Sequence, residues 1–499
     1  MSGVIRKLMF GSLILIVSLF LLRLYLLAPP QDSTADNGAQ IEWGDCWFDI
    51  PITQIIHCGR LKPSLQNANN TISLPIVAIR NISLSHNKDP VIFVNGGPGS
   101  SAYIREDEIQ GWLVNVEELA WQRDFIILEL RGTGLSEPKP QCPELMRYYS
   151  ESIEKFETLK DEVEAEAKIF LECKHRLESE GVDLSLYSTH HNAQDVIDLV
   201  NALPDDKVNL YGVSYGTRAS LEIMRQQPEK VRSVILDSAY PSDKHSLPTW
   251  PWLLSNAIQL IENQCKTATT CHSKYPDVRN QLREALKRLR QQPIGIKIYE
   301  PDTDKELSTV VLSEHRFIIS LFLASYDKWL YEHIVPAIYA AAEGKEDYSL
   351  YAIAENFYYF NVDDTFNDMV YAAVNCNDET GISEYEYRQL REQHPLTSRY
   401  HRYDWEMDIC RDFDQDFPFK LDARPVTSTI PTLIIAGELD PVTPWEWAKE
   451  VHEHLPNSHY LKYQDNAHSV LDAEYCAVYA SRSFLGNPAA KTIDHCGSQ

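Results

Sequence analysis

Residues 207–219 read Lys-Val-Asn-Leu-Tyr-Gly-Val-Ser-Tyr-Gly-Thr-Arg-Ala, an apolar run that passes through Gly212-Val213-Ser214-Tyr215-Gly216 into a helix-favouring stretch. A serine raised on a sharp strand-to-helix turn takes strained backbone angles, and flanking glycines let neighbouring chain pass where a Cβ would collide. Such an elbow needs a buried strand on one side and a helix packed on the sheet on the other. It asks for an α/β fold with a mostly parallel, doubly wound sheet.

The rest of the chain supplies the strands. Leu74–Ile79, Val91–Val94, Phe125–Leu130, Val208–Tyr211, Val234–Leu236 and Thr432–Ala436 are short apolar runs of the kind buried in parallel sheets. Pro90–Val94 leads into Asn95-Gly96-Gly97-Pro98-Gly99-Ser100-Ser101, a glycine-rich loop placed where an elbow serine finds the second half of its oxyanion hole. Between Asp237 and Pro431 the strand and helix rhythm gives way to helical patterns, among them Ser313–Ala342 and the aromatic-rich Tyr348–Tyr371. An insertion between core strands sits above the strand ends. Residues 241–428 are therefore expected to form a mainly helical cap over a core made of residues 43–240 and 429–499. The charged stretch Glu151–Ser179 is expected to be a surface helix without chemistry.

The N-terminus reads Arg6-Lys7, then an apolar run Leu8–Ala28 interrupted only by Arg23, then Pro29-Pro30 and the acidic Asp32 and Asp36. Basic residues before and acidic ones after place the body of the protein outside the cytoplasm. Residues 1–30 read as a signal peptide or an uncleaved membrane anchor. The anchor is favoured, since about 20 apolar residues span a bilayer and no small-x-small site follows directly. Either reading makes the protein periplasmic or secreted. Ten cysteines in an exported chain imply disulfides. Pairing each with its neighbour, one of many connectivities, joins Cys46–Cys58, Cys142–Cys173, Cys265–Cys271, Cys376–Cys410 and Cys476–Cys496. With 72 acidic against 46 basic residues, and no basic stretch beyond the N-terminus, the chain lacks the electrostatic footprint of a nucleic-acid binder. No zinc-type Cys/His spacing occurs, so neither a metal nor a cofactor is expected.

A serine hydroxyl is a weak nucleophile at neutral pH. It needs a general base, and the base needs an acid to hold its tautomer and its positive charge. Behind an elbow these follow in the chain order serine, acid, histidine. The strand Pro431–Ala436 runs into Gly437-Glu438-Leu439-Asp440-Pro441-Val442-Thr443-Pro444, which makes Asp440 the expected acid and Glu438 its rival; a solvated turn aspartate before proline is the plainer alternative. After the strand-like His459–Tyr463 comes Gln464-Asp465-Asn466-Ala467-His468-Ser469-Val470, which makes His468 the expected base. The oxyanion hole is expected to use the backbone N–H groups of Gly97 and Tyr215.

Taken with Glu129-Leu130-Arg131-Gly132-Thr133-Gly134-Leu135-Ser136 and Ala373-Val374-Asn375-Cys376-Asn377-Asp378, these motifs resemble the proline iminopeptidase and tripeptidyl aminopeptidase family over residues 43–496. The resemblance implies an α/β-hydrolase fold, a peptide substrate, and release of N-terminal residues or tripeptides through an acyl-enzyme. It also implies a group that holds the substrate's free α-ammonium; Asp378 and Glu379, with Asp363 and Asp364, are the cap candidates. The chain departs from the family pattern at Asn95, where the loop usually opens with His, and at Glu129, where Asp-x usually precedes the Arg-Gly pair. The Arg131–Gly134 segment reads as a structural turn. An esterase on the same fold is the alternative function, and a catalytically silent binding protein is a further one, against which Ser214, Asp440 and His468 stand.

Overall fold

The computed structural model describes residues 28–66, 71–81, 87–226, 229–301, 303–379, 382–400, 409–411, 413 and 420–490. Most of the apolar N-terminal run, Leu8–Leu27, and Cys496 lie outside the described residues. Among the described residues no helix is long and apolar enough to cross a membrane.

The strands in chain order are β1 (Ser33–Thr34), β2 (Gln40–Gly44), β3 (Ile56–Lys62), β4 (Leu74–Ile79), β5 (Asn87–Val94), β6 (Arg123–Leu128), β7 (Val208–Val213), β8 (Val231–Asp237), β9 (Ile294–Tyr299), β10 (Glu306–Leu312), β11 (Thr432–Gly437) and β12 (Ser458–Tyr463). Ten of them form one sheet in the order β1-β2-β3-β4-β6-β5-β7-β8-β11-β12. From β6 to β12 the neighbours are parallel. β1 to β4 are an antiparallel meander, and β4 pairs antiparallel with β6. That corrects the expectation for Leu74–Ile79. The strand is buried on both faces, and an unbroken apolar run reports burial without reporting direction.

Successive strand residues point to opposite faces, so the sheet carries two cores. Ile92, Val94, Leu210 and Val234 pack beneath helices Thr189–Ala202 and Tyr215–Gln226. Val91, Phe93, Tyr211 and Ile235 pack on the other side, against helices Ile109–Leu119 and Tyr475–Gly486. This is the doubly wound α/β sheet that the elbow required.

Between β8 and β11 the chain leaves the sheet for a series of helices, from Ser246–Thr267 to Glu384–Glu392, and the hairpin β9–β10. This insertion has an apolar core of its own, which includes Leu254, Leu282, Phe317, Phe322, Ile334 and Ile353. It is fastened to the helix pair Pro143–Ser152 and Leu159–Ser179. The Arg316 guanidinium donates to the carbonyls of Ser152 (2.9 Å) and Ile153 (3.1 Å) and to Glu162 Oε1 (2.6 Å). A buried arginine with its donors filled in this way costs little and locks the elements it bridges.

Among the described residues, four disulfides join neighbours in the sequence: Cys46–Cys58, Cys142–Cys173, Cys265–Cys271 and Cys376–Cys410. Each closes a loop of the chain and reduces the freedom of the unfolded state. Thiol titration of the purified protein under denaturing, non-reducing conditions should find almost no free cysteine. Six or more reactive thiols would overturn both the framework and the oxidising compartment it implies.

Candidate active site

Ser214 stands between the end of β7 and helix Tyr215–Gln226 with φ +55°, a left-handed conformation that a serine adopts only when its surroundings impose it. The imposing contacts are on both sides. Its N–H donates to the carbonyl of Asp237 on β8 (3.0 Å), and its own carbonyl accepts from Thr217 N–H (2.9 Å) and Thr217 Oγ1 (2.6 Å). A Cβ on Gly216 would lie 1.9 Å from the Val94 carbonyl, so any side chain there would drive the elbow away from the glycine loop. Tyr215, as the first helical residue, has an N–H without an intrahelical acceptor.

Asp440 follows β11 and is fully buried. Its Oδ1 accepts the N–H groups of Val442 (3.0 Å) and Thr443 (2.8 Å), and its Oδ2 lies 2.8 Å from His468 Nδ1. Burial opposes the charge on Asp440, but the His468 imidazole and these hydrogen bonds outweigh it and hold the carboxyl below its ordinary range. Burial likewise opposes the imidazolium of His468, yet Asp440, with Asp237 and Asp472 behind it, raises the His468 pKa above its ordinary value. Glu438, the rival acid, turns to Lys462 instead (2.8 Å). The insertion also reaches His468: the His468 N–H donates to the Tyr326 carbonyl (3.2 Å), and the two rings meet edge to face at 5.3 Å.

The departures at Asn95 and Glu129 become intelligible in the glycine loop. Asn95 Nδ2 donates to the carbonyls of Ser100 (3.0 Å) and Ser101 (2.7 Å), which closes the loop on itself. Glu129 Oε1 accepts from the Ala102 N–H (2.9 Å) and from Thr133 Oγ1 (2.6 Å), which fastens the far end of the loop to the turn after β6. Arg131 in that turn pairs with the buried Asp195 (2.5 Å), a structural role. The insertion then straps the loop down. Ser100 forms a bridge with Phe366, the Ser101 N–H donates to the Thr365 carbonyl (2.8 Å), and the Asn367 N–H donates to the Gly99 carbonyl (2.9 Å). A Cβ on Gly99 would stand 2.7 Å from the Asn367 carbonyl, so the close approach needs glycine.

Ser214, His468, Gly96 and Gly97 share the wall of a cavity of about 1400 Å³ that lies between sheet and insertion. Much of its lining is aromatic or aliphatic, with Trp112, Tyr149, Trp250, Phe322 and Phe357 among the contributors. Six carboxylates also line it, Glu108, Glu162, Glu166, Asp363, Asp368 and Asp472. Arg316 is the one permanently cationic side chain in the described lining, and Glu162 already occupies it. Glu108 is paired with Arg105 (2.8 Å), and Asp363 accepts from Thr365 Oγ1 (2.6 Å). Asp368 makes no ion pair with any described residue; burial, aided by the Asp363 charge, pushes its pKa up to about 6.

Asp378 and Glu379 are not in this lining. Asp378 is buried and accepts the Thr189 N–H (2.9 Å), and burial pushes its pKa up to about 6 against the pull of Arg218. Glu379 pairs with Arg218 (3.4 Å), whose guanidinium stacks on Tyr240 at 4.3 Å. Asp364 pairs with Arg105 (3.1 Å). The carboxylates that do face the cavity on the helix Leu159–Ser179, Glu162 and Glu166, fall in a stretch whose charge pattern reads as solvated surface. The signal available in the sequence was weak: the two are four residues apart on one face, beside the apolar Val163, Ala167 and Phe170.

Residues 89–259 match the α/β hydrolase fold family, and residues 397–496 match the family described as TAP-like protein. The chain is 22% identical over 450 residues to a tripeptidyl aminopeptidase of Streptomyces lividans, covering 86% of this chain and 80% of that protein. It is 22% identical over 471 residues to the serine protease Hip1 of Mycobacterium bovis, covering 87% and 86%. A solved proline iminopeptidase of Mycobacterium smegmatis, 14% identical, aligns over 84% of this chain and 96% of its own with a TM-score of 0.40.

Proposed function

We propose, because the chain belongs to the tripeptidyl aminopeptidase-like family of α/β-hydrolase serine peptidases, that Ser214, His468 and Asp440 act as its catalytic triad and that it is an exported aminopeptidase. The observation that carries the triad is the 2.8 Å bond between Asp440 and His468 on the cavity wall that His468 shares with Ser214. In this reading His468 takes the Ser214 proton as Oγ attacks the scissile carbonyl. The N–H groups of Gly97 and Tyr215 receive the oxyanion, and the imidazolium then protonates the leaving amine. Water hydrolyses the acyl-enzyme by the same route, with His468 again as base, and the N-terminal fragment leaves as a carboxylate. The four disulfides support an oxidising, extracytoplasmic compartment.

The aminopeptidase character rests on the charge of the cavity. A largely apolar space with an excess of carboxylates favours a ligand that brings its own cation, and the α-ammonium of a peptide is such a group. Asp368, without a cationic partner among the described residues, is its anchor in this reading. Acetylating the N-terminus of a good peptide substrate should lower kcat/KM by about a hundred-fold. The penalty should be greatest between about pH 6, above which Asp368 is charged, and about pH 8, above which a free α-amine loses its proton. In Asp368→Asn the discrimination should shrink while hydrolysis persists. Equal rates on free and acetylated peptides would refute the aminopeptidase assignment, and faster turnover of a short-chain ester than of any peptide would favour an esterase.

A further inference from the structure

The carboxylate of Asp237 is fully buried at the C-terminal end of β8, and the reaction as described leaves it without a task. In the sheet β8 lies between β7, which delivers Ser214, and β11, which delivers Asp440. Asp237 is bonded in both directions. Its carbonyl accepts the Ser214 N–H (3.0 Å), while its side chain accepts the Val470 N–H on Oδ1 (3.0 Å) and the Leu471 N–H on Oδ2 (2.8 Å), two and three residues after His468. The next residue repeats the arrangement: Ser238 Oγ accepts the Ser469 N–H (3.0 Å) and donates to Asp237 Oδ1 (3.3 Å). Ser238 and Ser469 both sit at positive φ, +61° and +58°, so the two turns are held in place by these bonds rather than by backbone preference.

We propose that Asp237 is a positioning residue of the catalytic centre, clamping the histidine loop to the nucleophile elbow and lending a second negative charge to the imidazolium of His468. The proposal rests on the assignment of His468 as the base. Both carboxylate oxygens face N–H donors, which is the arrangement of an ionised acceptor. Burial raises the Asp237 pKa to about 7, and the Leu471 N–H, the first of the groups that oppose this, works to keep the charge. The other titratable groups that face His468 are Asp440 and Asp472, with the Tyr326 ring against it, and Tyr211 lies near Asp472 and Asp237. Asp237 differs from Asp472 in joining its charge to a backbone clamp.

The test is Asp237→Asn in the full, disulfide-intact chain. Asn keeps the shape but turns an NH2 group toward one of the two N–H donors and removes the charge. With less negative charge nearby, the imidazolium is less favoured and the His468 pKa falls. The acid limb of kcat/KM should then move to lower pH by about half a unit or more. At the optimum kcat should drop by about thirty-fold, with KM changed by less than about three-fold. A merely structural aspartate would lower activity without moving the limb, and an unmoved limb in folded Asp237→Asn overturns the proposal. If that variant does not fold, Ser238→Ala serves. It removes the acceptor of the Ser469 N–H and alters no charge, so kcat should fall by about ten-fold with the limb in place. Unchanged kcat there overturns the clamp. Activity persisting in His468→Ala would reject the base assignment itself, a different outcome from either of these.

Discussion

Ser214→Ala is expected to lower turnover by about a million-fold and to leave thermal unfolding where it was. In the proposed mechanism the hydroxyl is the group on which the acyl chemistry depends, while the strained backbone is held by other atoms. The N–H of residue 214 still meets the Asp237 carbonyl, its carbonyl still meets Thr217, and alanine accepts the same φ as serine. The variant should therefore purify as a folded protein whose circular dichroism and melting curve overlay the parent. It should also bind peptide with near-parental affinity, since the cavity walls and their carboxylates are unchanged. Hydrolysis of a peptide reporter within about ten-fold of the parent, in a preparation free of contaminating enzyme, would remove the core of the catalytic reading.

The second large effect belongs to Asp440→Asn, expected to cost about ten-thousand-fold in kcat. The side chain can keep its amide oxygen on the N–H groups of Val442 and Thr443, which leaves its NH2 group facing His468 Nδ1. A donor there selects the tautomer with the proton on Nε2, and that nitrogen can no longer take the proton of Ser214. The variant also loses the charge that lifts His468 above its ordinary pKa. The sign follows: the little activity that remains should show its acid limb at lower pH than the parent, and should rise toward alkaline pH as hydroxide replaces the missing base. A kcat profile of unchanged shape and near-parental height would show that Asp440 is not the partner that matters.

Most of this architecture could be read along the chain because its signals are local. A buried strand, an elbow serine between glycines and a glycine loop after Val94 each declare themselves within a few residues, and the order Ser214, Asp440, His468 needs only a chain direction. What escaped the sequence depends on partners distant along the chain. β4 hides its direction because it is buried on both faces. Glu162 and Glu166 read as solvated charges until the insertion folds back over their helix. Asp378 and Glu379 looked available beside Cys376, yet Thr189 and Arg218, far upstream, already engage them. Asp237 reads as a polar residue ending a strand; its bonds to the turns that carry Ser214 and His468 become visible only when the order of β7, β8 and β11 is known.

The strap from Thr365–Asn367 onto the glycine loop bears on how such a protein can be rebuilt or diversified. An insertion that merely covered a cavity would be a portable accessory, exchangeable between scaffolds to alter selectivity. Here part of the insertion completes the turn that holds Gly97, so a graft carrying new walls but a foreign residue 366 neighbourhood would arrive with that loop, and the oxyanion donor proposed on it, misaligned. Substitutions at Gly99 and Asn367 should accordingly be inherited as a pair. Laboratory evolution toward new peptides has its freest ground in Trp250 and Phe360, which line the cavity, are not buried in the insertion's core and have no part in the strap.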